Sequence, residues 1–580
     1  MTHLGTSDAV FSRSAVPTPH WAWALVASGL ILVTVMTFRP VLEAQFISWD
    51  DPEYLGFDWG RNGEPVERPD CLLKDVAGLR SIWNPFNPAL RASEALRRYL
   101  AGDVSNLFAM SLDQYYPLVF TSFWLEHHAW GLDPRGYHTT NLVLHVLNVV
   151  LVLWLLRTLG ASIGVAAAAA AVFALHPAQV SSVAWITERK NLLSGFFYLV
   201  AFLMYLWHRR SGGARRWIAY AACVAAFVAA LVSKTQTLTL PFALAAADVV
   251  LQRRGRLPRL GGVGLTSRLL PMLVLALAAA QLTARVEFAH TLGAVLPSTP
   301  IELRLFIAAR ALWFYVATFA APLRLAPIYP HWEVAPFAAS PAALVWWGAL
   351  LASVAAAIVL FRIRRRIDGL TWWGLAQSFL AVLPILGLVS FNYQKYSYVA
   401  DHYLYLACIG GGVAMAQTAA RWTTRGGAAR RAQTIAAVTL LAACSALSYR
   451  EASHWKSVES FWTHAIERNP NSLTAYYNLG NHFYTMRQLD RALPLYERAS
   501  QMDSDNGRAL NAYLWTLDFL RGTDAVRDAC RARLQQAEDA ERAGRQREAL
   551  RIYQQLNVGA PKYVKECDAA EAIQRLGETH

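Results

Sequence analysis

The sequence predicts an all-α protein, in which a polytopic membrane helical bundle is followed by an extramembrane helical-repeat domain. Of the 580 residues, 55% are hydrophobic and only 16% are charged, whereas soluble proteins carry about a quarter charged residues. The mean hydropathy is +0.25. Apolar runs of about 18–20 residues, long enough to cross a bilayer, recur from Trp21 to Leu447. The segment 451–580 is charged and contains no such run.

The net charge of +14 arises largely from four short basic loops. Together these loops contain 17 Lys or Arg and a single acid, Asp368, and they are 208–217, 252–268, 361–368 and 421–431. Short basic loops remain on the cytoplasmic side when a membrane protein inserts. The charge therefore indicates topology and argues against nucleic-acid binding.

Eleven transmembrane helices are predicted within a membrane domain of residues 21–450. They lie near 21–38, 138–157, 161–175, 191–207, 217–232, 236–251, 268–284, 342–361, 371–391, 403–419 and 432–448. With residues 1–20 in the cytoplasm, every basic loop is cytoplasmic and the C-terminal domain is extracytoplasmic, in the periplasm if the membrane is a bacterial inner membrane. The segment 39–115 becomes a large first outer loop.

The segment 301–321 is also apolar, but Arg304 and Arg310 interrupt it. If it crossed the membrane, the basic loop 361–368 would move to the outer side, against the charge rule. We therefore expect a re-entrant or interfacial helix on the outer face.

The segment 475–499 has the spacing of a tetratricopeptide (TPR) repeat, in which small residues let two antiparallel helices approach. The positions that match are Ala475, Tyr476, Leu479, Gly480, Phe483, Ala492, Tyr496 and Ala499. Weaker copies occur at 462–470 and 543–561, so about three repeats are predicted. The six cysteines form no metal-binding motif, and a Cys530–Cys567 disulfide is compatible with an extracytoplasmic location.

Paired acids, Asp50 and Asp51, follow the first apolar helix directly. Adjacent carboxylates just outside a membrane helix suit a general base or a divalent-cation site, and we expect their mutual repulsion to raise one pKa. The alternative is a helix cap before Pro52.

Cations stand at the outer ends of other predicted helices, where basic residues are scarce. They are Arg189, Lys190, Lys234 and Lys395. Such a group would bind an anionic head group such as a lipid phosphate, although interfacial snorkelling explains each one alone. His402 is a further candidate for binding this phosphate. Other polar candidates near this face are His138, His176, Glu188, Arg310 and Asp401.

The paired acids in the first outer loop are followed by GLDPRGYHTTNLVLHVLN, ALHPAQVSSVAWITERKNLLS and DHYLYL. In this order the motifs resemble the transmembrane-and-TPR protein O-mannosyltransferases, which belong to the GT-C superfamily. The resemblance implies a polyprenyl-phosphate sugar donor, an extracytoplasmic acceptor and a catalytic acid in the first outer loop, matched by Asp50 with Asp51 as the second acid. Lys234–Thr235 stands where the family has lysine and glutamate, and His402 replaces an arginine.

The resulting hypothesis is an inverting sugar transfer, with Asp50 as base and Asp51 orienting it or helping to hold a cation. The TPR groove would recruit a protein or glycan acceptor. Transfer to lipid A or to an envelope polysaccharide, and a non-enzymatic membrane-anchored TPR scaffold, are the alternatives. A transporter would show inverted repeats and paired charges at the bilayer midplane, which the sequence lacks.

Overall fold

The computed structural model describes residues 19–60, 62–85, 115–291, 299–389, 391–422, 427–502, 507–560 and 565–577. Most of the predicted cytoplasmic N-terminus and residues 86–114 of the predicted first outer loop lie outside these ranges.

The described chain is mostly helical. The helices of the apolar part are α1 (His20–Thr37), α2 (Asp51–Leu55), α3 (Val76–Ile82), α4 (Pro117–Trp130), α5 (Pro134–Leu159), α6 (Ile163–Leu175), α7 (Val180–Ala184), α8 (Arg189–Arg210), α9 (Gly213–Leu231), α10 (Leu240–Arg253), α11 (Gly262–Thr291), α12 (Ile301–Ala320), α13 (Ala342–Ile363), α14 (Gly369–Val382), α15 (Ala407–Trp422) and α16 (Gly427–Ser453). The C-terminal helices are α17 (Val458–Arg468), α18 (Leu473–Thr485), α19 (Leu489–Met502), α20 (Arg508–Arg521), α21 (Thr523–Arg542), α22 (Gln546–Gly559) and α23 (Ala570–Gly577). Strands β1 (Phe57–Trp59) and β2 (Pro65–Glu67) pair antiparallel.

A described helix lies within each of the eleven predicted spans, so the predicted all-α class is confirmed. Among the described residues, eight helices are long and apolar enough to cross a membrane, or nine if the bent pair α6 and α7 forms one span. On α13 and α16 only 6% of the apolar window is buried inside the protein. Such outward-facing apolar surface needs lipid around it. The chain is a multi-pass membrane protein.

Four of the predicted spans are shorter than the sequence suggests. Helices α6, α10, α14 and α15 have 13 to 16 residues, fewer than the roughly 20 that cross a bilayer core. Each has a 3₁₀ turn at one end, and these turns are Pro177–Gln179, Thr235–Thr239, Leu383–Ile385 and Asp401–Leu404. Irregular backbone at membrane depth requires burial in protein or a polar cavity, so these helix ends mark where a site can form.

Helix α12 bears on the expected re-entrant or interfacial segment. It is one unbroken helix that could cross a membrane by length and composition. Near its start, however, the Arg304 guanidinium donates to the Leu388 carbonyl at 3.3 Å, and near its end the Phe319 carbonyl lies 3.0 Å from His176 Nε2. Leu388 and His176 lie beyond α14 and α6, at the ends away from the basic loops. Both ends of α12 therefore contact the same end of the bundle, which favours the interfacial interpretation over a crossing.

Small residues allow the core helices to approach closely. A Cβ added at Gly374 on α14 would lie 2.6 Å from the Gly410 carbonyl oxygen on α15. A Cβ at Gly412 would lie 2.9 Å from the Ala169 carbonyl oxygen on α6. Because lipid offers no hydrophobic drive for helix association, such close packing is what stabilises the bundle.

The first outer loop folds over one end of the bundle. An aromatic cluster that includes Phe46, Phe57, Phe120 and Tyr137 joins it to α4 and α5. The Trp462 indole on α17 donates to Ser48 Oγ at 3.0 Å, and Lys456 accepts a backbone hydrogen bond from Gln45 at 3.1 Å. The loop is therefore held from both sides.

The C-terminal helices follow one another as amphipathic segments, and Cys530 and Cys567 form a disulfide. Of the matched repeat positions, Ala475, Leu479, Ala492 and Tyr496 are buried. A Cβ at Gly480 would lie 2.7 Å from the Tyr496 ring, so α18 and α19 touch where the repeat pattern predicts. The assignment to the TPR class remains our interpretation.

Gly480→Leu should therefore overpack the α18–α19 pair and destabilise it, typically by 1–3 kcal/mol. We expect faster amide hydrogen exchange in both helices of the full-length protein. Tyr484→Leu is the matched control, because Tyr484 is 44% exposed on the same helix. Equal exchange in both variants would contradict the close contact at Gly480.

Candidate active site

The paired acids lie at the start of α2, immediately after the loop that leaves α1. Asp51 is fully buried, and its Oδ2 accepts a hydrogen bond from the backbone N–H of Ile47 at 2.7 Å. Asp50 is half-buried at the N-cap position, but its side chain does not cap the helix. The cap explanation is therefore wrong for Asp50, and Asp51 instead ties the helix start back to the preceding turn.

Burial raises the pKa of Asp51 to about 8. The neighbouring Asp50 adds a smaller upward contribution, while the hydrogen bond from the Ile47 backbone N–H opposes the shift. The expected asymmetry between the two acids is present, but desolvation is its main cause rather than like-charge repulsion. Asp51 thus carries its proton at neutral pH and is unsuited to act as a base.

The centre of the site is the buried carboxylate of Glu188, in the 3₁₀ turn Ile186–Glu188 that precedes α8. Lys190 Nζ lies 3.0 Å from one carboxylate oxygen, and Lys234 Nζ lies 3.3 Å from the other. His402 Nε2 is 3.8 Å from the first oxygen. Three segments that are distant in sequence therefore meet at one carboxylate.

Asn191 joins the same cluster. Its amide donates to Glu188 at 2.5 Å and to the His402 carbonyl at 3.0 Å, while its oxygen accepts from Lys234 Nζ at 2.7 Å. Glu188 is the N-cap residue of α8 and Asn191 lies three residues later in its first turn, a spacing that brings the two side chains together. The sequence interpretation missed Asn191, although it directly follows the basic pair in the ERKN motif.

Burial lowers the pKa of both Lys234 and His402, which lie in turns outside the membrane helices. The pKa of Lys234 falls to about 8 despite the opposing effect of Glu188, so Lys234 stays charged at pH 7. The pKa of His402 falls to about 3, so the imidazole is neutral. Glu188, Lys190, Lys234 and His402 together carry one net positive charge.

Aromatic rings surround both ammonium groups. Lys190 lies over the rings of Tyr54 and Trp185, at 5.5 and 5.7 Å from their centroids. Lys234 lies 5.2 Å from the centroid of Tyr403. Rings exclude water and attract the cations through their faces, which strengthens electrostatic interactions inside the cluster.

Asp50 borders this cluster. Its carboxylate interacts electrostatically with Lys190 and with the hydroxyl of Tyr396. The Lys395 ammonium is exposed and lies 4.9 Å from the Tyr396 ring centroid. The structure therefore brings together Asp50, Lys190, Lys234, Glu188 and His402, with Lys395 at the edge.

Arg189 faces away from the cluster, contrary to the expectation that it binds donor phosphate. It forms a bidentate pair with Glu126, at 2.8 and 3.1 Å, and donates further hydrogen bonds to Asn141, Ser122 and the Tyr137 carbonyl. Its side chain is 0% exposed. We assign it a structural role, and Glu126, a carboxylate within apolar α4, is the partner that the sequence interpretation missed.

The remaining candidates lie apart from Glu188. His138 faces the Gln45 carbonyl at 3.4 Å, and His176 caps the turn after α6 while stacking on Phe319. Arg310 lies between the rings of Trp332 and Trp346, at 4.4 and 4.5 Å.

Asp401 accepts a hydrogen bond from Tyr329 at 2.7 Å, and burial raises its pKa to about 8. The Asp401 carboxyl is therefore neutral at pH 7 and is hydrogen-bonded to Tyr329.

A divalent cation at Asp50 and Asp51 finds little support. Among the described residues, a group of at least three possible metal ligands (His, Cys, Asp or Glu) occurs at Glu451, His454 and His464, not at the paired acids. Asp51 is buried in its neutral form and has no such grouping beside it.

Comparison with known proteins places the chain near one enzyme family. No family model matches it. The protein O-mannosyl-transferase Tmtc2 of Drosophila melanogaster is 36% identical over 138 residues, which are 23% of this chain and 15% of that protein. Tmtc1 of the same organism is 36% identical over 134 residues, again 23% and 15% of the two chains. Human TMTC3 is 30% identical over 125 residues, 22% of this chain and 14% of that protein.

The chain resembles the protein O-mannosyltransferases. This confirms the likeness inferred from the motifs, over a match that spans 14–15% of those relatives' length. Among solved structures, ArnT from Cupriavidus metallidurans bound to undecaprenyl phosphate aligns with 89% of this chain and 81% of that chain, with a TM-score of 0.34 and 15% identity.

The raised pKa of Asp51 predicts a pH dependence of stability. Between the unfolded value near 3.8 and the folded value of about 8, the folded protein holds a proton that the unfolded chain has lost. The free energy of unfolding should therefore fall as pH rises through this range, by up to about 1.4 kcal/mol per pH unit.

Asp51→Asn should remove this dependence, so the thermal midpoint of the wild type relative to the variant should decline from pH 5 to pH 8. Asp58→Asn, at a carboxylate that is 59% exposed in the same loop, should follow the wild-type profile. Parallel profiles for Asp51→Asn and the wild type would refute the assignment.

Proposed function

We propose that the protein is a membrane glycosyltransferase that moves a sugar from a polyprenyl-phosphate donor to a serine or threonine hydroxyl of an extracytoplasmic protein. The observation that carries this proposal is the pair of buried lysines held by Glu188 beside the half-buried carboxylate of Asp50. The resemblance to protein O-mannosyltransferases supports the same reaction class.

The lysine pair suits an anionic phosphate. Two ammonium groups share one carboxylate, and His402 is neutral. Asp50 also acts electrostatically on Lys190 but is only half-buried. The buried groups therefore keep a positive surplus that a phosphate would neutralise. The same charges would stabilise the phosphate as it becomes the leaving group, since preorganised charges in a dry site act more strongly than in water.

Asp50 suits the role of general base. It is more accessible than Asp51, which is buried and protonated at neutral pH. In the proposed step, the acceptor oxygen forms a bond to the anomeric carbon and its proton passes to Asp50. The bond from that carbon to the phosphate oxygen breaks, and the phosphate leaves with the electron pair. Attack opposite the leaving group inverts the anomeric configuration.

The C-terminal helices suit acceptor recruitment. Phe461 and Trp462 on α17 pack against Trp49, the residue before Asp50, with ring centroids at 6.4 and 5.6 Å. The first C-terminal helix thus borders the loop that carries the proposed base. A protein bound along these helices could present a hydroxyl to Asp50.

We also propose that this end of the bundle faces out of the cytoplasm. The basic loops lie about 30 Å away, at the far ends of helices such as the 22-residue α8. The Cys530–Cys567 disulfide suits an oxidising compartment. Alkaline phosphatase fused after residue 455 should be active in a bacterial host, and a fusion after residue 212 inactive. The reverse pattern would overturn this orientation.

Asp50→Asn should lower sugar transfer by about 10²- to 10⁴-fold, the usual contribution of a general base, with little change in volume. Transfer from a polyprenyl-phosphate sugar to a peptide is the measurement. Glu53→Gln, a half-buried carboxylate in the same turn, is the matched control and should retain most activity. If Asp50→Asn remained active while Asp51→Asn lost activity, the two roles would be exchanged.

Lys190→Gln and Lys234→Gln should each raise the KM for the polyprenyl-phosphate sugar at least tenfold and also lower kcat, because the same charges serve the leaving group. Lys456→Gln is the matched control, since this lysine pairs with Glu43 at an exposed position and such pairs contribute little. Unchanged kinetics in both buried-lysine variants would exclude the cluster as the phosphate site.

A further inference from the structure

Two histidines and a glutamate meet where the last apolar helix passes into the first C-terminal helix. Glu451 lies in the last turn of α16, His454 follows that helix, and His464 lies on α17. One ligand atom from each lies within 4.8 Å of the others. Neither the proposed transfer reaction nor the helical repeats requires this grouping.

We propose that Glu451, His454 and His464 bind one transition-metal ion of the zinc class, which clamps α17 to the end of α16. Two imidazole nitrogens and one carboxylate oxygen form a typical three-ligand zinc set, which leaves a fourth position for water. Imidazole ligands select zinc and its neighbours over magnesium or calcium, which prefer oxygen.

His464 is the most buried of the three ligands. It is 3% exposed, and its Nε2 lies 3.2 Å from a Glu451 oxygen. Its other ring nitrogen lies 4.0 Å from Glu467. With Nε2 turned toward an ion, Glu467 would accept a hydrogen bond from Nδ1 after a small side-chain adjustment. This is the carboxylate–histidine–metal arrangement that orients many ligating imidazoles.

His454 supplies the movable ligand. Its ring stacks on that of His464 with centroids 3.9 Å apart and planes at 4°. Parallel rings cannot both direct a lone pair at one ion, so binding requires one ring to turn about its Cβ–Cγ bond. His454 is the less buried of the two rings, so we assign the rotation to it. Zinc–nitrogen bonds of about 2.0–2.1 Å would then draw the ligand atoms together.

The position gives such an ion a structural consequence. Residues 451 and 464 are held by different helices, so one ion would fix the angle at which α17 leaves the bundle. Helix α17 also contacts the Asp50 loop through Trp462 and Ser48. Glu451 also acts electrostatically on Asp401, the residue before His402. An ion bound at Glu451 would therefore change the electrostatic potential close to the Glu188 cluster.

The test is zinc titration of the full-length protein, purified in detergent and freed of metal by chelation, with isothermal calorimetry and bound-metal analysis. We expect one Zn²⁺ per chain and a higher thermal midpoint with Zn²⁺ but not with Mg²⁺. Glu451→Gln and His454→Gln should each weaken Zn²⁺ binding at least tenfold. His482→Gln is the matched control, because His482 lies on α18 outside this cluster.

Cobalt offers an independent readout. Co²⁺ bound to the wild type should show visible absorption typical of a four-coordinate site, and this absorption should be lost in His454→Gln, a change at a half-buried residue that the fold should tolerate. Absence of stoichiometric Zn²⁺ binding, or equal binding in the wild type and in both ligand variants, would overturn the proposal.

Discussion

The carboxylate of Glu188 is the interaction on which the site depends. A buried carboxylate is costly unless cations and donors surround it, and here Lys190, Lys234 and Asn191 supply them. These partners come from α8 and from the turn after α9, while His402 approaches from the turn before α15. Loss of this one charge would leave two buried ammonium groups without their shared counterion.

The short length of four membrane helices follows from the same need to surround the Glu188 carboxylate with polar partners. If α6, α10, α14 and α15 continued as full spans, regular helix would occupy the space where the polar side chains meet. Three of their four 3₁₀ turns instead bring polar residues to one end of the bundle, and the fourth, Leu383–Ile385, is apolar. The loop with Asp50 and Asp51 closes over that end, and α17 braces it through Trp462. Membrane bundle, outer loop and C-terminal helices thus converge on one place.

Hydropathy alone placed a described helix within each of the eleven predicted spans, because lipid imposes a length and a composition on anything that crosses it. Only eight or nine of the described helices are long and apolar enough to cross. Hydropathy could not locate the helix ends, since buried polar groups at the outer end of the bundle decide where α14 ends and where α15 begins. Arg189 and Lys190 show a second limit. Adjacent residues on a helix point about 100° apart, so Arg189 pairs with Glu126 while Lys190 meets Glu188. Charge at a helix end indicated a site but not which side chain enters it.

The most direct test of the Glu188-centred phosphate site is a cryo-electron microscopy structure in a lipid nanodisc with a polyprenyl phosphate bound. We expect the phosphate within hydrogen-bond distance of the Lys190 or Lys234 ammonium group, with the Asp50 carboxylate on the side from which an acceptor would approach. A phosphate bound elsewhere, for example at Arg310, with both lysines still paired only to Glu188, would contradict the account.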